Sequence, residues 1–316
     1  MLCTESIRCE IMNDEFDTLD EVQVYDQGDR DELDTILHDA EDVFISIDSV
    51  SYHVLLRGEG FPLICLHGFS EACDTWANLD LPGFRLYCID FLGHGFSDRP
   101  DDESLYSFDT AVRHLYTLIH TLVGDEAYGI LGYSMGGRMA LQYTAMYEPQ
   151  GLAFLVLEST APGIENPVER QLRKSHDIKL AAAIEKQPIQ WFEHMWSQLP
   201  IFSTQQLLPE DVQQKIKSRR LSNDPKALAN TMRGTGQGFT PYVGNKIKHM
   251  DVEILYVAGT YDAKYMDFGT HIFSPCRNVS FVPVIGAGHN VHLEKPKEFN
   301  DIVTLFLMDF NEHSVS

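Results

Sequence analysis

A serine between two glycines is the first feature of the sequence that could carry chemistry. Gly132, Ser134 and Gly136 form a Gly-x-Ser-x-Gly motif, which presents a serine hydroxyl at a tight, strained turn from a strand into a helix. An apolar run at 128–131 precedes the motif and a helical pattern follows it, as such a turn requires. The motif therefore predicts Ser134 as an active-site hydroxyl.

A serine hydroxyl becomes reactive when a histidine accepts its proton, and two histidines late in the chain could do so. His289 lies in a glycine-rich loop just after an apolar run at 279–283, where a mobile, exposed imidazole would be expected. His292 is the alternative, but it begins the run toward the last predicted helix. We expect His289 to be the base.

A carboxylate must orient that imidazole and stabilise its protonated form. Asp262 follows the apolar run at 254–258 by only a few residues. Asp267, about one helical turn later, and Glu158, at the end of an earlier apolar run, are the alternatives. We expect Asp262 to be the acid of a Ser-His-Asp triad.

Backbone N–H groups near the serine could bind a negatively charged oxygen. The loop after the apolar run at 62–66 contains Phe69, whose N–H could join that of Met135 in an oxyanion hole. We expect His67, in the same loop, to hold the loop by hydrogen bonds. The glycine turn at 90–98 is predicted to be architectural.

The other histidines and the cysteines lack the spacing of metal ligands. His114 and His120 lie in a helical pattern, and the six cysteines include no Cys-x-x-Cys pair. We therefore expect no metal and no cofactor. A reducing, cytoplasmic location is expected as well, because the acidic N-terminus differs from a signal peptide and no apolar run reaches the roughly 20 residues that would span a membrane.

The elements that position these residues alternate between strands and helices. Strands are predicted at 43–47, 51–57, 62–66, 85–90, 127–133, 152–157, 252–257 and 278–283. Helices are predicted at 108–123, at 135–147, after Asp262, and from about Pro296 to Asn311. Continuous apolar strands separated by helices are typical of a mostly parallel, doubly wound α/β sheet covered on both faces.

Residues 160–238 interrupt this alternation with helical patterns alone and are predicted to be an inserted helical lid. Residues 160–235 carry 11 Lys and Arg against 8 Asp and Glu, in a chain whose formal net charge is −23. A locally basic lid favours an anionic substrate, although ordinary solvated helix faces would show the same composition. Arg138, one helical turn after Ser134, could reach a carboxylate bound beside the serine, or form a buried structural ion pair.

Residues 1–42 are predicted to be an acidic extension, disordered or loosely docked, that precedes an α/β domain at 43–316. They carry 15 Asp and Glu against 2 Arg. Leu33, Ile36, Leu37 and Ala40 follow helical spacing, so one short helix could dock on the domain. The acidic balance makes nucleic acid an unfavourable partner, and the sequence does not indicate an oligomeric state.

Longer motifs make the resemblance to a known family specific. They are Gly132-Tyr133-Ser134-Met135-Gly136-Gly137-Arg138, Leu157-Glu158-Ser159-Thr160-Ala161-Pro162-Gly163, Glu169-Arg170, Trp196 before Leu199-Pro200-Ile201-Phe202, Arg220-Leu221-Ser222-Asn223, Gly234-Thr235-Gly236-Gln237 and Asp262-Ala263-Lys264. In these motifs the chain resembles the 2-succinyl-6-hydroxy-2,4-cyclohexadiene-1-carboxylate (SHCHC) synthases of menaquinone biosynthesis, which have the α/β-hydrolase fold. The family offers no counterpart for the acidic extension.

The resemblance implies a lyase that eliminates pyruvate from a small polycarboxylate, with Ser134 acting as a base and not as an acyl acceptor. It implies as substrate-binding residues Arg138, Arg170, Arg220, Tyr133, Trp196 and Lys264. Two other functions fit the same residues. One is a C–C bond hydrolase or carboxylesterase with the same triad; the other is a non-catalytic receptor, which would normally lack a triad member.

Overall fold

A sheet of nine strands organises the part of the chain that the computed structural model describes, residues 22–24 and 40–311. The strands are β1 (Val22–Val24), β2 (Glu41–Ile47), β3 (Val50–Arg57), β4 (Phe61–Leu66), β5 (Phe84–Ile89), β6 (Tyr128–Tyr133), β7 (Leu152–Glu158), β8 (Glu253–Gly259) and β9 (Val279–Val284). Their order across the sheet is β1-β2-β3-β5-β4-β6-β7-β8-β9. The pairings β1-β2, β2-β3 and β3-β5 are antiparallel. The remaining pairings, from β5-β4 across the sheet to β8-β9, are parallel. The predicted mostly parallel α/β sheet is thus confirmed.

Both faces of the inner parallel strands, β4 to β8, are buried, which explains their continuous apolar sequences. In β4, Leu63 and Cys65 pack into one hydrophobic cluster, while Ile64 and Leu66 pack into the cluster on the opposite face. Successive side chains of a strand point to opposite faces, so a strand covered on both sides must be apolar at every position.

Ten α-helices are present among the described residues. They are α1 (Phe108–Val123), α2 (Met135–Tyr147), α3 (Pro167–Lys186), α4 (Ile189–Ser197), α5 (Glu210–Leu221), α6 (Pro225–Thr235), α7 (Gly244–Ile247), α8 (Ala263–Phe268), α9 (Val291–Glu294) and α10 (Pro296–Asn311). Helices α1 and α2 cover one face of the sheet and α10 covers the other. No described helix is both long and apolar enough to cross a membrane.

Helices α3 to α6 and a 3-10 helix at Pro200–Leu207 lie between β7 and β8, in the segment predicted as a lid. Prolines mark the starts of these helices, since Pro188 and Pro209 precede α4 and α5 and Pro225 is the first residue of α6. Proline suits these positions because its fixed backbone angle fits the first turn and its missing N–H has no helical partner there.

The sheet begins inside the segment predicted as an extension. Strand β2 starts at Glu41, which pairs with Leu56, and β1 pairs antiparallel with β2. Strands pair through backbone hydrogen bonds, which do not depend on the charge of the side chains. The acidic composition of residues 1–42 therefore did not show that some of them belong to the sheet. The helix expected around residues 33–40 falls outside the described residues except for Ala40, which is buried and not helical.

Candidate active site

Ser134 lies at the turn between the end of β6 and the start of α2. Its backbone has φ 51° and ψ −102°, a left-handed conformation that is strained for a residue with a side chain. A Cβ on Gly132 would lie 2.6 Å from the backbone nitrogen of Gly137, and one on Gly136 would overlap the carbonyl of Leu66. The two glycines are therefore required because helix α2 starts directly against the strands.

His289 and Asp262 complete a hydrogen-bonded chain with Ser134. The Nε2 atom of His289 lies 3.0 Å from the Oγ atom of Ser134, and its Nδ1 atom lies 2.6 Å from Oδ2 of Asp262. Asp262 directly follows the turn after β8, and His289 lies in the loop after β9. The carboxyl ends of the parallel strands thus bring together three residues that are far apart in the sequence. The expectation of an exposed imidazole is wrong, because the packing of the loop buries His289.

The alternatives considered for base and acid are paired with other groups. Glu158 accepts a hydrogen bond from Nδ1 of His292 at 2.7 Å, and the other imidazole nitrogen of His292 lies 2.8 Å from the hydroxyl of Thr75. Asp267 pairs instead with His271 on the surface. None of these contacts reaches Ser134.

Phe69 and Met135 both lie beside Ser134 in the wall of one cavity. Met135 is the first residue of α2, so its N–H has no partner within the helix. His67 is fully buried, its Nε2 atom accepts from the N–H of Phe91, and its Nδ1 atom lies 2.7 Å from the carbonyl of Gly68. Burial lowers the pKa of His67. A neutral, doubly hydrogen-bonded imidazole is the structural role expected for it.

The glycine turn at 90–98 is hydrogen-bonded to the loop after β4 that contains His67 and Phe69. The buried carboxylate of Asp90 accepts from the N–H groups of Cys73 and Phe96. It also accepts from Nδ1 of His53 at 2.7 Å, and the other nitrogen of His53 pairs with Asp42. His53, Cys73 and Asp90 are close enough together to resemble metal ligands, but both ring nitrogens of His53 are already bonded to carboxylates.

The cavity next to Ser134 has a volume of about 380 Å³ and lies between the sheet and helices α3, α4 and α6. Its walls combine aromatic rings and cationic groups with one carboxylate, that of Glu71, which is paired with Arg219. The aromatic residues are Phe69, Tyr133, Trp196, Phe202 and Tyr265, and the cationic ones are Arg138, Arg173 and Lys264. Such a cavity suits a compact anion with apolar parts.

Arg138 has no carboxylate partner among the described residues. One of its terminal nitrogens donates to the carbonyl of Thr235 at 2.9 Å and to the hydroxyl of Thr240 at 2.8 Å. Burial lowers the pKa of this guanidinium to about 10, which leaves it charged near neutral pH. The alternative of a buried ion pair is therefore wrong, and the guanidinium faces the cavity with an unbalanced charge.

Arg173, which the sequence did not single out, lines the cavity where Arg170 was expected. Arg173 lies one turn further along α3, where Asp177 and Gln237 hold its guanidinium at 2.6 Å and 2.8 Å. Arg170 is in the first turn of α3 and is not among the residues that line the cavity. The motif that suggested Arg170 lies at the helix start, and only the packing of α3 shows which turn reaches the cavity.

Lys264 approaches the same wall, because its ammonium group donates to Oε1 of Gln237 at 3.2 Å. Burial, and then the neighbouring charges of Arg173 and Arg138, lower the pKa of Lys264. Three cationic side chains thus converge on this cavity. The carboxylates near them among the described residues are Asp177 and Asp262, and Glu71, which also lines the cavity, is paired with Arg219.

Arg220 is placed behind the cavity and not in its wall. Its guanidinium lies 4.8 Å from the ring centre of Phe202 and donates to Gln205 at 2.8 Å. The neighbouring Arg219 forms ion pairs with Glu71 and Asp74, which tie α5 to the loop that contains Phe69. Of the substrate-binding residues expected from the sequence, Arg138, Tyr133, Trp196 and Lys264 line the cavity, whereas Arg170 and Arg220 do not.

The sheet order and the strained serine turn define the chain as an α/β hydrolase in fold, and a family model described as the alpha/beta hydrolase fold matches residues 62–296. A Bacillus subtilis (strain 168) protein provisionally named as a 2-succinyl-6-hydroxy-2,4-cyclohexadiene-1-carboxylate synthase is 38% identical over 82% of this chain and 96% of its own length. A synthase of the same name from Pectobacterium atrosepticum is 27% identical over 78% of this chain and 93% of its own. The solved structure of MenH from S. aureus superposes with a TM-score of 0.75 at 30% identity, over 80% of this chain and 97% of that one. The chain therefore belongs to the family of the 2-succinyl-6-hydroxy-2,4-cyclohexadiene-1-carboxylate synthases.

Proposed function

We propose that this enzyme eliminates pyruvate from 2-succinyl-5-enolpyruvyl-6-hydroxy-3-cyclohexene-1-carboxylate and forms 2-succinyl-6-hydroxy-2,4-cyclohexadiene-1-carboxylate, a step of menaquinone biosynthesis. The unpaired guanidinium of Arg138 in the wall next to Ser134 carries this proposal. A simple ester has no need of such a charge, whereas a substrate with three carboxylates does. Arg173 and Lys264 would serve the other carboxylates, because both face the same cavity.

In this reaction Ser134 acts as a proton relay. His289, held by Asp262, accepts the hydroxyl proton while the serine oxygen removes the ring proton beside the succinyl carbonyl. The electrons move through that carbonyl, whose negative oxygen is stabilised by the N–H groups of Phe69 and Met135. They then shift along the ring and break the C–O bond to the enolpyruvyl group. The proton held by His289 goes to the departing enolpyruvate, which becomes pyruvate, and no water is consumed.

Helices α3 to α6 would serve as a lid over this chemistry. Phe192 and Trp196 pack against Phe69, and Phe202 packs against Trp196, so the lid brings apolar rings against the loop of the oxyanion hole. Excluding water strengthens the interactions between the developing oxyanion and its donors. We place the reaction in the cytoplasm, because the four described cysteines, Cys65, Cys73, Cys88 and Cys276, are free thiols.

The direct test supplies the purified protein with the enolpyruvyl substrate and follows pyruvate by a coupled dehydrogenase assay. One pyruvate per substrate consumed is the expected result, together with the absorbance of a conjugated diene. Folded protein that releases no pyruvate would refute the proposal. A C–C hydrolase or carboxylesterase is the second candidate, since the same serine chain could form an acyl-enzyme; incorporation of ¹⁸O from water into product would favour it.

A further inference from the structure

The loop that carries His289 is held by carboxylates at alternate backbone N–H groups. Glu294 accepts from the N–H of Gly288 at 2.6 Å and from the N–H of Asn290 at 3.2 Å. Glu158 accepts from the N–H of His292 at 3.0 Å. The residues on both sides of the imidazole are therefore fixed through their backbone, and none of these bonds involves the imidazole of His289 itself.

The two carboxylates reach the loop from different elements. Glu294 is the last residue of the short helix α9 and folds back over the start of that helix, in the manner of a capping box. Glu158 is the last residue of β7, and its carbonyl accepts from the N–H of Ser134 at 2.9 Å. Glu158 thus contacts both segments that must meet, the turn with Ser134 and the loop with His289.

The carboxylates of Glu158 and Glu294 are not among the groups that line the cavity. Glu158 is fully buried. Burial raises the pKa of Glu294, and its hydrogen bonds to Gly288 and Asn290 act in the opposite direction. A Cβ on Gly288 would lie 3.0 Å from an oxygen of Glu294 and would overlap the hydroxyl of Thr204 from the 3-10 helix of the lid. Little space is left for the loop to shift.

We infer that Glu294 and Glu158 are positioning residues, which hold the imidazole of His289 in line with Ser134 by fixing the N–H groups of residues 288, 290 and 292. The two oxygens of Glu294 accept from two backbone N–H groups, an arrangement that an amide cannot reproduce, because its NH₂ group would face one of those donors. Glu158 accepts from the N–H and from Nδ1 of His292, so an amide there keeps both bonds only if the imidazole changes tautomer. Loss of one of these bonds to a backbone N–H group frees that part of the loop. Displacement of a catalytic group by about 1 Å costs on the order of a hundredfold in rate. This inference rests on the proposed catalytic role of His289, but not on the identity of the substrate.

The test compares Glu294→Gln and Glu158→Gln with Glu298→Gln, a change of the same chemistry at an exposed position on α10. The readout is the second-order rate of Ser134 labelling by a fluorophosphonate, which needs the serine and its base but no natural substrate. We expect Glu294→Gln to label about ten- to a hundredfold more slowly than the native enzyme, Glu158→Gln to be slowed by a smaller factor because its amide oxygen can still accept from the N–H of His292, and Glu298→Gln to label at the native rate. In the pyruvate assay the loss should appear in kcat, with KM changed less than about threefold, because the cavity wall is unchanged.

Circular dichroism and urea unfolding identify variants that remain folded. Should Glu158→Gln fail to fold, Glu294→Gln alone decides the matter, since the two backbone N–H groups that Glu294 binds lie in the same short segment, residues 288–294. Folded Glu294→Gln protein that labels within twofold of the native rate would overturn the inference. Labelling of His289→Ala at the native rate would instead overturn the role of His289, and normal labelling with no pyruvate release would overturn only the proposed reaction.

Discussion

The carboxylate of Glu158 pairs with the imidazole of His292, and the Nδ1–Oε2 distance is 2.7 Å. A second histidine–carboxylate pair therefore lies beside the one that reaches Ser134. The ring of Tyr133 separates the two, with its centre 5.3 Å from that of His289 and 5.1 Å from that of His292. Each pair joins an imidazole Nδ1 atom to a carboxylate, but only the imidazole of His289 contacts the serine.

Replacing the two histidines separately should distinguish these pairs. His289→Ala should lower kcat by about 10³-fold or more, because Ser134 loses its base. His292→Ala should lower kcat far less but reduce the free energy of unfolding by roughly 1–3 kcal/mol, since Glu158 and Thr75 lose a buried partner. Steady-state kinetics and urea unfolding measure the two effects. Equal losses of kcat would contradict the assignment of His289.

Arg138→Ala should weaken turnover of the carboxylate substrate. The lost charge-assisted hydrogen bond is worth about 1.5–3 kcal/mol, which corresponds to roughly ten- to a hundredfold in kcat/KM. Lys186→Ala, which removes an exposed cation at the end of α3, is the control and should have no effect. If both variants lose the same activity, Arg138 does not bind a carboxylate.

Arg173→Ala and Arg170→Ala form a matched pair on one helix. Arg173→Ala should raise KM about tenfold, because the guanidinium lines the cavity, whereas Arg170→Ala should stay within about twofold of the native KM. Initial rates over a range of substrate concentrations measure both. The reverse ranking would restore the assignment made from the sequence motif.

The buried pair of His53 and Asp90 should make stability depend on pH. Burial alone would lower the pKa of His53, but hydrogen bonds and charge from Asp90 and then Asp42 outweigh it and raise the pKa above 6.5. A histidine with a raised pKa stabilises the fold fully below the unfolded value, and this contribution is lost as the pH rises through the raised value. The pKa of Asp90 is lowered to about 2, so its contribution is lost only as the pH falls from 3.8 toward that value.

Replacement of His53 by Gln should therefore reduce the free energy of unfolding most near pH 6, by roughly 1–3 kcal/mol, and less near pH 9. Urea unfolding of both proteins across this range provides the measurement. A loss of stability that is independent of pH would show that His53 acts through packing alone.

Helix and strand positions could be predicted closely wherever a local pattern was strong. Helices at 108–123, 135–147 and 296–311 were predicted at their observed bounds, and the core strands to within two residues. The short helices α7 and α9 were missed, because four residues are too few to show a helical period. Glu294 was missed for a related reason: its role depends on a backbone turn that brings it onto Gly288 and Asn290.

The sequence by itself determined the alternation of the sheet, the strained turn at Ser134 and the candidates for base and acid, because glycine spacing and apolar runs act over short stretches of chain. Only the tertiary structure decided which histidine meets which carboxylate and that Arg173, not Arg170, lines the cavity. Contacts of this kind join residues that are far apart in the sequence, 155 positions in the case of Ser134 and His289. They depend on how strands and helices pack, and a difference of one helical turn moves a side chain by about 5 Å without changing the local pattern.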